Sequence, residues 1–177
     1  MDERTGEAFE AGEQLTVVGQ RLRVGEPAPE FVLDEMSPED GSIGQVSMTA
    51  SHGQVLLLNV INSIDTPVCS IETHTWQSRL PANGNRFRAY TVSMDLPFAL
   101  DRWRRAKRHM HPMLSAHRSE QFGVEYGILL KEWRLLQRAV FVIDPTCAIA
   151  HAEYVADQMR EPDYDAALAC FNALLDS

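Results

Sequence analysis

Residues 55–69 of the chain read VLLLNVINSIDTPVC, an apolar run followed by a short polar turn and a cysteine. The run at 55–61 has the length of a strand and is almost continuously apolar, which is typical of a strand buried on both faces of an α/β sheet. Thr66 and Pro67 indicate a helix start, because threonine caps helices and proline is tolerated at the first helical position. The stretch therefore predicts a central strand, a turn, and a helix with Cys69 in its first turn.

The predicted position of Cys69 favours a reactive thiol. Unpaired N–H groups and the positive end of the helix dipole stabilise a thiolate at a helix start. The alternative is a buried structural cysteine, which is common for a lone cysteine of an intracellular protein. The strand, turn and helix around Cys69 favour a nucleophile.

Segment 63–69, SIDTPVC, resembles the peroxidatic-cysteine loop of the thiol peroxidase branch of the peroxiredoxins. Three further segments agree with that branch in the same order: DLPFA at 95–99, RAVFVID at 138–144 and EPDY at 161–164. The likeness spans roughly residues 15 to 175. It implies an α/β, thioredoxin-like (peroxiredoxin) fold, in which helices flank a central mixed sheet that follows an N-terminal β-hairpin.

The resemblance also implies an activity and roles for individual residues. The expected function is thiol-dependent reduction of hydrogen peroxide or alkyl hydroperoxides, with Cys69 as the nucleophile. Thr66 is expected to supply a hydroxyl and Arg138 a guanidinium beside the sulfur, and the N–H groups of Val68 and Cys69 complete the donors. Such donors suit the negative charge that develops on a peroxide oxygen. The alternative for Arg138 is a surface ion pair, which its place at the start of an apolar strand disfavours.

The chain departs from the family pattern at two positions. The family has a proline four residues before the threonine, where this chain has Asn62, so we expect weaker shielding of the thiolate from water. The position of the branch's resolving cysteine is occupied by Arg104, and neither Cys147 nor Cys170 matches a resolving position. We therefore expect a one-cysteine enzyme that is recycled by an external thiol reductant, such as thioredoxin or a small thiol.

Two other functions stay open from the sequence. The chain could be a redox sensor, in which Cys69 is oxidised and a partner protein recognises the oxidised form. It could also be a weakly active binding protein with a thioredoxin fold. The basic run RWRRAKRHMH at 102–111 predicts a helix that is either a solvated face or a docking patch for an acidic partner. His109 and His111 are too few ligands for a metal site, so no metal and no cofactor are expected.

Composition sets the expected organisation of the chain. Its 177 residues, 45% of them hydrophobic, fit one domain with a sizeable core. We expect a mobile acidic tail at 1–14 and a single peroxiredoxin-like domain at 15–177, which opens with a hairpin at 15–24.

Charge and cysteine usage bound the partners and the location. The formal charge of −9 argues against nucleic acid as a partner, and no apolar run has the length of a membrane span. Three widely spaced cysteines and an acidic, leaderless N-terminus predict a cytoplasmic protein. The resemblance implies a homodimer.

Overall fold

The computed structural model describes residues 2–82 and 84–177. Within these residues the strands are β1 (Glu3–Glu10), β2 (Glu13–Val18), β3 (Val32–Met36), β4 (Ile43–Ser47), β5 (Val55–Val60), β6 (Phe87–Ser93), β7 (Met113–Ser115), β8 (Leu129–Leu130), β9 (Leu135–Leu136), β10 (Ala139–Ile143) and β11 (Ile149–Tyr154). The helices are α1 (Pro67–Arg79), α2 (Pro97–Lys107), α3 (Gln121–Glu125) and α4 (Tyr164–Asp176), and a 3-10 turn covers Met48–Ser51.

The larger sheet has the strand order β11-β10-β5-β6-β7-β3-β4. β5 runs parallel to β6 and antiparallel to β10, and β6 runs parallel to β7, so the sheet is mixed, as predicted. Every residue of β5 is buried, which confirms the central strand. Helix α1 connects β5 to β6, so the carboxyl ends of these two strands meet at one edge of the sheet. Such an edge is where open α/β sheets place their sites.

The two faces of β5 contribute to two hydrophobic clusters. Leu56 and Leu58 belong to a cluster that includes Phe141, whereas Leu57 packs with Trp76 of α1 and Phe171 of α4. This division follows from the alternation of side chains along a strand. The apolar side chains of α4 therefore cover this face of the sheet. None of the helices in the described residues is both long and apolar enough to cross a membrane.

The N-terminal hairpin is confirmed, but its predicted position at 15–24 is wrong. Residues 3–10, which we expected to belong to a tail, form β1 and pair antiparallel with β2. The hairpin joins β8 and β9 in a separate sheet. Gly19, with φ 97°, ends the hairpin, and a Cβ there would lie 2.0 Å from the carbonyl oxygen of Val124. The sequence of β1 does not indicate a strand, because most of its residues are polar and Ala8 is its one fully buried side chain. Met1 of the expected tail lies outside the described residues.

The basic helix lies earlier in the chain than the predicted range 102–111. It is α2, which ends at Lys107 because Arg108 adopts the left-handed conformation with φ 51°. His109 and His111 follow the helix and are buried. The His109 ring lies 5.5 Å from the Trp103 ring, and burial lowers the pKa of His109 to about 3. Burial lowers the pKa of His111 as well, so both rings favour the neutral form.

Replacing Arg4 tests whether β1 is an integral part of the fold. The Arg4 guanidinium donates to the carbonyl oxygens of Gly19 and Gly127, the latter at 2.9 Å. Hydrogen bonds from charged groups each contribute about 1.5–3 kcal/mol, so Arg4→Met, which loses both, should lower the free energy of unfolding by about 3 kcal/mol or more. The measurement is urea denaturation, with the exposed Arg23→Met as control. Equal stabilities of the two variants would contradict an integral β1.

Candidate active site

Cys69 is the third residue of α1, as predicted. The helix begins at Pro67, and Thr66 is its N-cap with φ −91° and ψ 146°. The first N–H groups of a helix have no partner within it, and the helix dipole is positive at this end. The carboxyl end of β5 thus leads through a short turn to a helix start that favours negative charge at the sulfur.

The Cys69 thiol is fully buried between a charged group and an apolar wall. Nη2 of Arg138 lies 3.3 Å from Sγ and donates to it, and Sγ lies 3.9 Å from Oδ1 of Asn62. On the other side, Cys69 packs in a cluster with Leu100 and Trp103 of α2. A guanidinium at this distance stabilises thiolate over thiol. The structure therefore brings Cys69 and Arg138 together.

Arg138 is buried, with 1% of its surface exposed; both Nη atoms donate hydrogen bonds, whereas Nε has no hydrogen-bond partner within the described part of the chain. Nη1 donates to the carboxylate of Glu72, and Nη2 also donates to the backbone oxygen of Gln158 at 2.9 Å. The Arg138 backbone N–H donates to Oε1 of Gln158 at 2.8 Å. Its ion pair is internal, because Glu72 is itself fully buried. A buried charge needs such partners, and they fix the direction of the guanidinium.

Asn62 belongs to the same buried network. Its Nδ2 donates to the Leu136 carbonyl at 2.6 Å and to Oε1 of Gln158 at 3.0 Å, and 5% of its surface is exposed. The asparagine is therefore held rigidly beside the sulfur. Weaker shielding of the thiolate in comparison with a proline stays a prediction.

A cavity of about 360 Å³ adjoins the residues around the sulfur. Its walls combine polar groups with apolar side chains and are formed by Glu10, Asn62, Thr66, Pro67, Val68, Trp133, Leu135, Arg138, Gln158 and Met159. Thr66 lines this cavity, but its hydroxyl donates to the Ser63 carbonyl at 2.9 Å. A direct role of Thr66 at the sulfur stays a prediction. The cavity accommodates a molecule larger than hydrogen peroxide.

Asp95 fixes the turn that precedes the cysteine helix. Its Oδ1 accepts from the Ser63 hydroxyl at 2.8 Å, and Oδ2 accepts from the Ile64 N–H at 2.8 Å. Oδ2 also accepts from the Ser93 hydroxyl at 2.7 Å. One carboxylate thus ties the turn after β5 to the end of β6.

The other two cysteines lie in different surroundings, and all three cysteines are free. Cys147 lies in the turn between β10 and β11 with φ 68°, and Cys170 packs against the sheet from α4. Burial raises the pKa of both thiols, with a further contribution from Glu30 at Cys147. A raised pKa keeps a thiol protonated and less nucleophilic. Arg104, at the position of the branch's resolving cysteine, donates from Nη2 to Oδ1 of Asp101 at 3.0 Å.

Sequence reasoning missed two residues of the site, Glu72 and Gln158. Glu72 follows Cys69 by three residues on a helix, so both occupy the same face. A carboxylate on the buried face of a helix is a signal that a cation lies opposite it. Gln158 lies in the irregular segment between β11 and α4, where no periodicity identifies it.

Residues 24–152 match the model of the AhpC/TSA family. The chain belongs to the AhpC/TSA family. It is 38% identical over 167 residues to a thiol peroxidase of Halalkalibacterium halodurans, and the match covers 93% of this chain and 96% of that protein. A thiol peroxidase of Bacillus subtilis is 37% identical over 165 residues, which covers 93% and 95% of the two chains. The resemblance to the thiol peroxidase branch is thereby confirmed.

The solved structures agree with this relationship. The crystal structure of a peroxiredoxin-like protein from Aquifex aeolicus matches with a TM-score of 0.84 and 29% sequence identity. The match covers 97% of this chain and 99% of the other. The predicted peroxiredoxin fold is therefore confirmed.

Replacing Glu72 tests the sharing of the Arg138 charge between the carboxylate and the sulfur. In Glu72→Gln the guanidinium loses its buried counter-ion, and a thiolate at Cys69 is then the nearest group that can replace it. We expect a larger thiolate fraction at neutral pH, measured by ultraviolet thiolate absorbance with Glu72→Gln/Cys69→Ser as the baseline. Breaking a buried pair costs about 3–5 kcal/mol, so Glu72→Gln should also lower the free energy of unfolding. An unchanged thiolate fraction would contradict the shared charge.

Proposed function

We propose that the chain is a thiol-dependent peroxidase that reduces hydroperoxides at Cys69. The observation that carries this proposal is the Arg138 guanidinium, which lies 3.3 Å from a fully buried Sγ at the start of α1. The cavity gives a hydroperoxide a place beside Asn62 and Arg138, two residues whose side chains contact that sulfur. The similarity to thiol peroxidases over almost the whole chain supports the same activity.

The first chemical step oxidises the sulfur. The Cys69 thiolate attacks the peroxide oxygen that carries hydrogen, the S–O bond forms, and the O–O bond breaks. The electron pair of the O–O bond leaves on the second oxygen, which takes a proton from water and departs as water or an alcohol. Arg138, with the N–H groups of Val68 and Cys69, is positioned to stabilise the negative charge on that oxygen. Thr66 contributes its hydroxyl at the cavity wall.

The second step restores the thiol. The sulfenic acid of Cys69 condenses with an external thiol to give a mixed disulfide and water, and a second thiol then reduces the mixed disulfide. An external reductant is proposed because Arg104 stands where the branch has its resolving cysteine. A dithiol protein such as thioredoxin or a small thiol meets this need.

We propose that the protein acts as a cytoplasmic homodimer. Three free cysteines suit a reducing compartment. Leu96 and Phe98, at the start of α2 beside the cysteine loop, expose 52% and 57% of their surfaces. Such exposed apolar side chains fit an interface with a second copy of the chain.

Replacing Arg138 by lysine tests the role of the guanidinium. Lysine keeps a positive charge near Glu72, but it cannot donate in fixed directions to the carboxylate and the sulfur at once. Losing one stabilising donor costs about 10²–10³ in rate, so Arg138→Lys should slow peroxide consumption by that factor. Stopped-flow peroxide consumption with a thiol reductant measures the rate. The control is Arg134→Lys, which alters an exposed ion pair with Glu120; equal rates in both variants would exclude the role.

Non-reducing peptide mapping after peroxide treatment tests the one-cysteine cycle. In the wild type we expect sulfenic acid or a mixed disulfide at Cys69, because Cys147 and Cys170 lie in other parts of the fold. Arg104→Cys should form a 69–104 disulfide once the start of α1 or part of α2 unwinds enough to permit disulfide geometry. A wild-type bridge from Cys69 to Cys147 or Cys170 would replace this cycle by a two-cysteine one. Cys69→Ser is the control and should abolish peroxide consumption.

A further inference from the structure

Asn62 is the one side-chain amide that contacts the reacting sulfur among the described residues. Its Oδ1 lies 3.9 Å from Sγ of Cys69 and 3.4 Å from Nη2 of Arg138. The side chain also lines the cavity that a hydroperoxide would enter. Asn62 is thus within reach of the sulfur, of the guanidinium and of the substrate.

The direction of the Asn62 amide is fixed by backbone groups. Nδ2 faces the Leu136 carbonyl at 2.6 Å, which can only accept a hydrogen bond. Its second acceptor, Oε1 of Gln158, is identified as oxygen because the Arg138 N–H donates to it at 2.8 Å. Nε2 of Gln158 donates to the Val155 carbonyl at 2.7 Å. Turning either amide over would place two donors or two acceptors against each other in a buried site.

An oxygen, and not an N–H group, therefore faces the sulfur. A thiol can donate weakly to Oδ1, but a thiolate has no proton to donate. In the reactive state one lone pair of Oδ1 still accepts from Nη2 of Arg138, and the lone pair that faced the thiol is open to another donor. The hydroxyl of a hydroperoxide is such a donor, and its oxygen is the atom that the thiolate attacks.

We propose that Oδ1 of Asn62 accepts the hydrogen bond of the hydroperoxide O–H during attack and of the sulfenic acid that forms. This inference rests on the peroxidase function proposed above. The O–H bond itself stays intact: the sulfur loses two electrons, the O–O bond breaks, and the leaving oxygen takes its proton from water. Asn62 thereby directs the hydroxyl oxygen to the sulfur and leaves the other oxygen to Arg138. Gln158 acts as a positioning residue, because it holds Nδ2 of Asn62 away from the sulfur.

The test compares two reactions of the same thiolate. Hydrogen peroxide brings an O–H group to Asn62, whereas iodoacetamide alkylates the thiolate without presenting one to it. Both rate constants at Cys69 are measured by quenched-flow mass spectrometry. In Asn62→Leu we expect the ratio of the peroxide rate to the alkylation rate to fall about tenfold, the size of one lost hydrogen bond. Damage to the thiolate or to the fold lowers both rates and leaves the ratio unchanged.

Asn59→Leu is the matched control. Asn59 is also buried in β5, but its amide bonds to Trp76 and Thr91. Its ratio should stay within about twofold of the wild type, a difference smaller than one hydrogen bond. Equal ratios in Asn62→Leu and the wild type would overturn the proposal for Asn62. Absence of Cys69-dependent peroxide consumption in the wild type would instead overturn the proposed peroxidase function.

Asn62→Asp keeps the test decisive if Asn62→Leu does not fold. An aspartic side chain has the same shape and retains an acceptor beside the sulfur, but its second oxygen lies against the Leu136 carbonyl, where it must carry a proton to replace the N–H, and any charge on it disfavours the thiolate. Both rates should therefore fall while the ratio stays at or above the wild-type value. A tenfold lower ratio in Asn62→Asp would show that the amide nitrogen or the neutral charge matters, and would overturn the acceptor role.

Discussion

The site depends on the burial of one positive charge. The Arg138 guanidinium is buried away from solvent. Burying such a cation costs several kcal/mol unless polar partners replace the water molecules. Those partners come from separate parts of the chain: Glu72 from α1, Asn62 from the turn after β5, and Gln158 from the segment after β11. The cation thus joins the cysteine helix, the central strand and the C-terminal part of the molecule. The sulfur is therefore correctly placed only when these three segments have folded together.

The same burial sets the electrostatic balance around the sulfur. In a medium of low dielectric constant, charges interact more strongly than in water. The Arg138 charge therefore attracts the Glu72 carboxylate and negative charge at the sulfur more strongly than it would at the surface. The carboxylate and a Cys69 thiolate share this one cation. In the proposed function the carboxylate therefore competes with the Cys69 thiolate for the cation, while Asp95 holds the turn in place by accepting hydrogen bonds from neutral donors. Reactivity and stability are opposing demands on a single guanidinium.

Much of this arrangement could be predicted from local patterns. The run at 55–61, the Thr66–Pro67 helix start and the position of Cys69 each follow from periodicity or capping, and the structure has all three. The strand β1 could not be predicted in this way, because contacts with distant residues stabilise an otherwise polar segment: its pairing with β2 and the hydrogen bonds from Arg4 to the carbonyls of Gly19 and Gly127. Gln158 could not be predicted either, because its place in the site depends on contacts with Asn62 and Arg138, which are distant in sequence. Glu72 was recoverable, because its helical spacing from Cys69 places a charge on a buried face.

Of the three tryptophans of the chain, Trp76 belongs to the cysteine helix, and Trp103 and Trp133 lie near its first turn. Trp103 donates to the hydroxyl of Ser70, the residue after Cys69, at 3.2 Å, and Trp76 donates to Oδ1 of Asn59 in β5 at 3.0 Å. Trp133 stands in the wall of the cavity. Indole emission is sensitive to polarity and to nearby groups, so each ring senses a separate event: loosening of α2, displacement of α1, or occupation of the cavity. The molecule consequently carries an intrinsic optical readout of its own redox cycle.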